Sequence, residues 1–370
     1  MKIAILTDLF YPYQLGGAEK QFYEITARLA KKHDVHVFTL NIEGSPSEEV
    51  LRNIHIHRFG YRNSLKKRSL LSLITFFIES PFLARKLKRF DIIHANQIAA
   101  IFSFFRYILK KPFVLTIHDL YWDQWKKYYN FPFYYMGKFL ELFCSKLYYN
   151  RIITVSQESE RKIKRLGFSA RIDIIPNGID FDSINKIKTK KGKHIVYVGR
   201  LVNYKNVDKL IMAMREVNKV FPDIELHIIG SGNEKQSLEK MAKTNGINAR
   251  FFGYLSEEEK IKEIKSAMAF VSMSSMEGFG IVLMEAMACG TPVIAKKLPA
   301  YNDFCTPTNS LLIDEGKLSE TIIKLLRNTS LQKRLSENGI RTTKYFNWNN
   351  IVNQMEKIYV SLKNTPTASG

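Results

Sequence analysis

The sequence predicts an α/β protein of two Rossmann-like, doubly wound parallel-sheet domains facing across a cleft. Three observations predict it. Short apolar runs alternate with stretches of helical periodicity along nearly the whole chain, the rhythm of a parallel sheet. That rhythm halts at Pro176-Asn177-Gly178, a strong breaker followed by a polar, lysine-rich stretch to Lys193, and then restarts. The 370 residues suit about two domains.

The elements follow in order. Lys2–Phe10 reads as a buried strand, and Gly16–His33 as a helix with Phe22, Ile25, Leu29 and Ala30 on one face. Val35–Leu40, Ile54–Phe59, Asp91–Ala95, Phe113–Ile117 and Arg151–Val155 read as strands. After the breaker, His194–Val198 is a strand and Lys205–Val220 a helix; Ile224–Ile229 is a strand and Glu234–Asn245 a helix. Arg250–Phe252, Ala269–Ser272 and Pro292–Ala295 are short strands. Trp348, Ile351, Val352, Met355, Ile358 and Tyr359 repeat at three and four, so the chain closes on a helix, with a frayed tail at Thr365–Gly370. The expected division is 1–176, 177–345, and a terminal helix with its tail, 346–370. Ligands of open parallel sheets bind outside the carboxyl ends of the strands, so the expected site is the cleft between the domains.

Hydrophobic residues make 45% of the chain and charged residues 25%, an ordinary globular balance. The net charge of +21 is not ordinary and suits anionic partners. The first 175 residues hold 28 basic and 15 acidic side chains, and the remainder 28 and 20, so the excess leans toward the first half. Cys144, Cys289 and Cys305 match neither a metal site nor a disulfide framework, which predicts three reduced thiols and a cytoplasmic protein. The amino terminus does not read as a signal peptide. The longest apolar runs, Leu70–Ile78 and Ile98–Phe105, are too short to span a bilayer.

The strongest chemical feature is Glu277-Gly278-Phe279-Gly280-Ile281-Val282-Leu283-Met284-Glu285. Two carboxylates stand eight positions apart around a glycine-flanked helix start. Gly278 and Gly280 let backbone pass close to a ligand. The N–H groups of a helix start, here Ile281 and Val282, favour an anion such as a diphosphate. Gly199-Arg200 with Lys205 follows a strand and offers a guanidinium and an ammonium for a departing nucleoside diphosphate. Gly16-Gly17-Ala18-Glu19 is a glycine-rich turn after the first strand, without the G-x-G-x-x-G spacing of a dinucleotide site. His118, at the end of another strand, is placed to hydrogen-bond a sugar. Gly230, in Ile229-Gly230-Ser231-Gly232, marks a further strand-to-helix turn, and Tyr254 ends a strand where a base could seat.

In this order and spacing the chain resembles glycosyltransferase family 4, whose members are retaining enzymes of the GT-B fold, over almost its whole length. Pro176-Asn177-Gly178-Ile179-Asp180 is similar to that family's interdomain link. The resemblance implies the following roles. Glu277 contacts the transferred sugar and Glu285 the ribose. Amides around Gly280–Val282, with Gly16 and Gly17, meet the sugar and diphosphate. Arg200 and Lys205 hold the leaving group, and His118 lies near the anomeric centre. The terminal helix crosses back onto the first domain. The departures are Asn206, where Gly is common, and Ser231, where an acidic residue is common. No cofactor is expected beyond a UDP- or GDP-linked sugar as substrate. No metal is expected either, because Arg200, Lys205 and the helix amides do a metal's work.

Two segments of the first half bear on the acceptor. Leu65–Arg89 has an apolar centre between basic clusters, and Tyr121–Asn150 mixes thirteen aromatics with Lys126, Lys127, Lys138 and Lys146. Both suit an anionic lipid interface. They predict peripheral association with the cytoplasmic face of a membrane and a lipid-linked or membrane-proximal glycan acceptor. Each also fits a bland reading, a core helix with a solvated basic end or a cleft lining. A nucleic-acid partner is not expected, since no helix-turn-helix, zinc-finger or RNA-recognition signature appears. A nucleotide-sugar epimerase on the same fold, or a non-catalytic scaffold, remain as alternatives.

Overall fold

The computed structural model describes residues 1–13, 17–63, 83–97, 103, 109–122, 125–128 and 131–364. Gly16, most of the Leu65–Arg89 and Ile98–Phe105 segments, and the tail Thr365–Gly370 lie outside the described residues. The chain divides into two compact units: Met1–Asn177 with Asn349–Gly370, and Gly178–Trp348.

The first unit carries strands β1 (Lys2–Leu6), β2 (Asp34–Ile42), β3 (Glu48–Leu51), β4 (Ile54–Asn63), β5 (Ile92–Asn96), β6 (Phe113–Ile117), β7 (Arg151–Thr154) and β8 (Ile172–Ile174). They form one sheet in the order β3-β4-β2-β1-β5-β6-β7-β8. All neighbours run parallel except β3, which pairs antiparallel with β4. The order reverses direction between β1 and β5, the switch point where a crevice opens at the carboxyl ends. Ile3–Leu6, Ile92, Ile93, Phe113–Leu115 and Ile152 are almost wholly buried, as expected for a sheet covered on both faces.

The second unit carries β9 (His194–Val198), β10 (Glu225–Ile229), β11 (Ala249–Gly253), β12 (Ala269–Ser272), β13 (Val293–Lys296) and β14 (Leu311–Ile313). Its sheet runs β11-β10-β9-β12-β13-β14, parallel throughout, the Rossmann order with its switch point between β9 and β12. The site residues of this unit gather at those carboxyl ends.

Several boundaries differ from the sequence reading. β1 ends at Leu6, because Thr7 turns its hydroxyl onto the Leu9 carbonyl at 3.0 Å. The first helix, α1, runs Gly17–Leu29. The edge strands β3, β8 and β14 have no counterpart in that reading. They are three or four residues long, and β3 presents Glu48 and Glu49.

The further helices named below are α2 (Phe133–Ser145), α3 (Gln157–Arg165), α4 (Phe181–Lys186), α5 (Val207–Val220), α6 (Lys235–Thr244), α7 (Glu257–Ser266) and α8 (Ile281–Ala288). They are followed by α9 (Leu318–Arg327), α10 (Thr329–Thr343) and α11 (Trp348–Asn364). From Asn349 onward, α11 belongs to the first unit. Its Tyr359 hydroxyl lies 2.5 Å from His94 Nδ1, and His94 Nε2 lies 2.7 Å from the Thr116 hydroxyl. Glu356 takes Lys32 at 3.1 Å and His33 at 2.9 Å. Burial pushes His94 down to about 3, so its imidazole is neutral and the two hydroxyls supply the complementary donor and acceptor. Cys144, Cys289 and Cys305 are free and buried, and burial pushes each thiol up to about 12. Among the described residues, no helix is long and apolar enough to cross a membrane.

Candidate active site

Two loops of the second unit build the core of the site. One leaves β9 through Gly199 and Arg200, makes a 3-10 turn over Asn203–Lys205, and enters α5. The other leaves β12 and runs through Glu277 to α8. Several contacts join them, the Ser275 hydroxyl on the Tyr204 carbonyl at 3.1 Å among them. Asn206 Nδ2 donates to the Met273 carbonyl at 2.9 Å, the Ser275 N–H donates to the Tyr204 carbonyl at 2.8 Å, and Lys205 Nζ meets Glu277 Oε1 at 2.5 Å. The sequence-predicted pair Lys205 and Glu277 is thus brought into direct contact. With 14% and 21% of their side chains exposed, both are half-sheltered yet open to a ligand.

Asn206 explains a departure noted in the sequence. Its φ of 49° is left-handed, a conformation that glycine adopts freely and asparagine tolerates better than most side chains. The family's common glycine and this asparagine therefore serve the same turn.

Arg200 is exposed, and its guanidinium bonds the Tyr204 hydroxyl. Gly199 precedes it, with Gly230 close behind. A Cβ on Gly230 would stand 1.9 Å from the Gly199 carbonyl oxygen, backbone against backbone. The two strand ends meet this closely because Gly230 lacks a side chain.

Gly280 caps α8 with φ +98°, and a Cβ there would meet the Tyr301 ring at 2.6 Å. The first-turn N–H groups of α8, on Ile281 and Val282, have no acceptor within the helix, which makes this end receptive to an anion. Gly278 lies in the same loop. Phe279 was expected to line the donor site, but its ring is 3% exposed and packs on Phe304 at 5.1 Å. It shapes the loop from beneath, leaving only its backbone toward a ligand.

Glu285 is buried one turn into α8, where Lys260 from α7 reaches both its oxygens at 2.9 and 2.8 Å. Lys260 also meets Glu257 at 3.0 Å. Burial alone would push this ammonium down, but Glu285 and Glu257 outweigh it and hold it well above its usual range. Lys260 was missed by sequence reasoning, because a lysine in Glu257-Glu258-Glu259-Lys260 looks like part of a solvated helix face. Tyr254 is 81% exposed, beyond the end of β11.

In the first unit, Gly17 opens α1, and Gly16 lies outside the described residues. His118 follows β6, with Nε2 3.0 Å from Asn96 Oδ1 and its backbone N–H on Gln97 Oε1 at 3.0 Å. Burial pushes His118 down to about 4, so the imidazole is neutral. Since Nε2 donates to the Asn96 carbonyl oxygen, Nδ1 is the acceptor, the form a hydroxyl-bearing ligand requires.

With this geometry established, similarity to known proteins is informative. The family model for Glycosyl transferases group 1 matches residues 179–342, and that for Glycosyltransferase Family 4 matches residues 15–183. A phosphatidyl-myo-inositol mannosyltransferase of Mycobacterium leprae is 30% identical over 50% of this chain and 52% of its own length, so the chain aligns with about half of that relative. Among solved structures, sucrose-phosphate synthase from Thermosynechococcus elongatus superposes with a TM-score of 0.82 at 20% identity, over 98% of this chain and 99% of its own. Anabaena HepE, in complex with UDP and glucose, superposes at 0.78 and 19% identity, over 98% and 100%.

Proposed function

Because the chain belongs to glycosyltransferase family 4 and has the GT-B fold, we propose that it transfers a hexose from a UDP- or GDP-linked donor to a lipid-linked or membrane-proximal glycan, with retention and without a metal. The carrying observation is the Lys205–Glu277 pair beside the Gly280-capped start of α8. In this reading Arg200, Lys205 and the amides of Ile281 and Val282 stabilise the nucleoside diphosphate as the bond from the anomeric carbon to the phosphate oxygen breaks. The acceptor hydroxyl attacks that carbon from the same face, and its proton passes to the departing phosphate. Glu277 holds the sugar, Glu285 the ribose, and neutral His118 accepts a hydrogen bond from a sugar hydroxyl. HepE, by its bound UDP and glucose, supports the donor class. The mycobacterial relative, by its name, supports an acceptor with a lipid anchor.

Calorimetry of UDP, GDP and ADP in metal-free buffer tests the donor half. One nucleotide is expected to bind at micromolar strength, and Arg200→Ala to weaken it about 10- to 100-fold, the scale of a lost charge-assisted hydrogen bond. If no nucleotide binds, the reading fails.

The acceptor half draws support from α2. Gly137 is buried, where a Cβ would stand 2.5 Å from the Trp125 ring, and Cys144 is buried on the same helix. Phe139 (70% exposed), Phe133, Tyr135, Met136 and Phe143 project outward, after Phe131 in the preceding turn. Lys138, over the Trp122 ring at 4.9 Å, adds positive charge beside them. An apolar outer face edged by cations fits the headgroup boundary of an anionic membrane, the proposed place being the cytoplasmic face. Co-sedimentation with anionic vesicles at physiological salt is expected, with roughly ten-fold loss in Phe131→Asp/Phe139→Asp. Binding unchanged by that double substitution would remove α2 from the membrane reading.

A further inference from the structure

At the amino-terminal ends of β2 and β4, the end of the first sheet opposite to His118, three imidazoles stack. His36 and His55 are direct register partners, with ring centroids 4.6 Å apart and planes at 15°. His57 lies 5.2 Å from His36 at 6°.

A string of contacts passes through two of them. Asp34 Oδ1 is 3.0 Å from His36 Nε2, His36 Nδ1 is 2.9 Å from His57 Nε2, and His57 Nδ1 is 3.1 Å from Glu48 Oε1. Carboxylates only accept, and two neutral imidazoles hold two N–H protons between them. Three contacts therefore share two protons, and one contact needs a cation.

Placing that cation between Asp34 and His36 satisfies the whole string. His36 then binds through Nε2 and donates Nδ1–H to His57 Nε2, and His57 donates Nδ1–H to Glu48. This is the outer-sphere support that metal-bound histidines require. The ligand atoms of Asp34, His36 and His55 already lie within 4.8 Å of one another. Around tetrahedral zinc such atoms stand about 3.3 Å apart, so closure requires the three side chains to draw together and His55 to turn out of its stack on His36. Lys2 approaches Asp34 through the other oxygen, Oδ2, at 3.6 Å, which leaves Oδ1 for the metal.

We propose that Asp34, His36 and His55 bind one divalent transition-metal ion of the zinc class, with water in the fourth position, as a clamp between β2 and β4. The other histidine cluster, His194–His227–Glu263, is less suited. There His194 Nε2, the ring nitrogen facing the Glu263 carboxylate at 3.7 Å, lies 3.1 Å from the Glu263 backbone carbonyl oxygen, which takes an N–H rather than leaving a lone pair for a metal.

The test is Zn²⁺ calorimetry and Co²⁺ absorption on the chelator-treated full chain. One equivalent should bind, Co²⁺ should give intense tetrahedral visible bands, and the unfolding midpoint should rise with metal. His55→Asn keeps the Asp34–His36–His57–Glu48 string and should weaken Zn²⁺ about ten-fold or more. His227→Asn should leave binding unchanged. Loss in His227→Asn with retention in His55→Asn would place the metal in the other cluster and overturn the proposal. No uptake by the unaltered chain would mean that a proton fills the third contact, and would overturn it equally. If His55→Asn folds poorly, the Co²⁺ spectrum of the unaltered chain still decides whether a metal binds, and His227→Asn still decides whether it sits in the other cluster.

Discussion

Glu277→Gln is expected to lower the transfer rate by about 10²- to 10³-fold, the scale seen when one preorganised polar group is removed from a transition state. The substitution keeps the side chain's size and removes its charge. Two things then change together. Lys205 loses the carboxylate that holds its ammonium at 2.5 Å, and the proposed sugar contact loses its ionised acceptor. Because both side chains are partly exposed, stability should change little. Nucleotide affinity should also move far less than rate, since Lys205 remains free to meet phosphate. Single-turnover transfer from labelled donor separates the two effects. A rate within ten-fold of the unaltered protein would remove Glu277 from the reaction.

Lys260→Met carries the largest expected effect on stability. Glu285 would keep a buried carboxylate with its two closest cationic contacts gone. Stripping one partner from a buried pair costs about 3–5 kcal/mol. In a unit of this size that corresponds to a fall of roughly 10 °C in the unfolding midpoint. Lys260→Met with Glu285→Gln removes the stranded charge and should recover most of the loss, so the double variant, followed by calorimetric unfolding, reports the pairing itself. A single variant that melts within one degree of the unaltered protein would show that the two groups do not depend on each other.

These two sites differ in how far the sequence revealed them. Glu277, Gly280 and Glu285 stand in one short block whose spacing carries meaning, and Gly199, Arg200 and Lys205 follow a strand that periodicity locates. Lys260 is tied to Glu285 only by the packing of α7 against α8, a contact across 25 residues that no local pattern marks. His94 is a further case. It reads as one more residue of an apolar strand, and its partner Tyr359 lies 265 positions away. The alternation of strand and helix was legible because each element carries its own period. Strand order was not, since β1 lies between β2 and β5 for reasons of twist and connection rather than of sequence. Which way the Phe279 ring turns was not legible either, since its two flanking glycines allow both. In fact the aromatic cluster of Phe304 and Phe346 draws it inward.

The return of α11 to the first unit makes the second unit an insertion. Its entry and exit lie side by side: the Ile179 N–H donates to the Phe346 carbonyl at 2.8 Å, and a Cβ on Gly178 would strike the Trp348 ring. Synthesis on the ribosome then runs against the usual order, in which the amino-terminal domain is finished first. Gly178–Trp348 is continuous and can close as soon as it emerges. The unit that holds β1–β8 must wait, with His94 lacking its Tyr359 hydroxyl, until α11 has been made. The half of the protein translated first is therefore the half completed last.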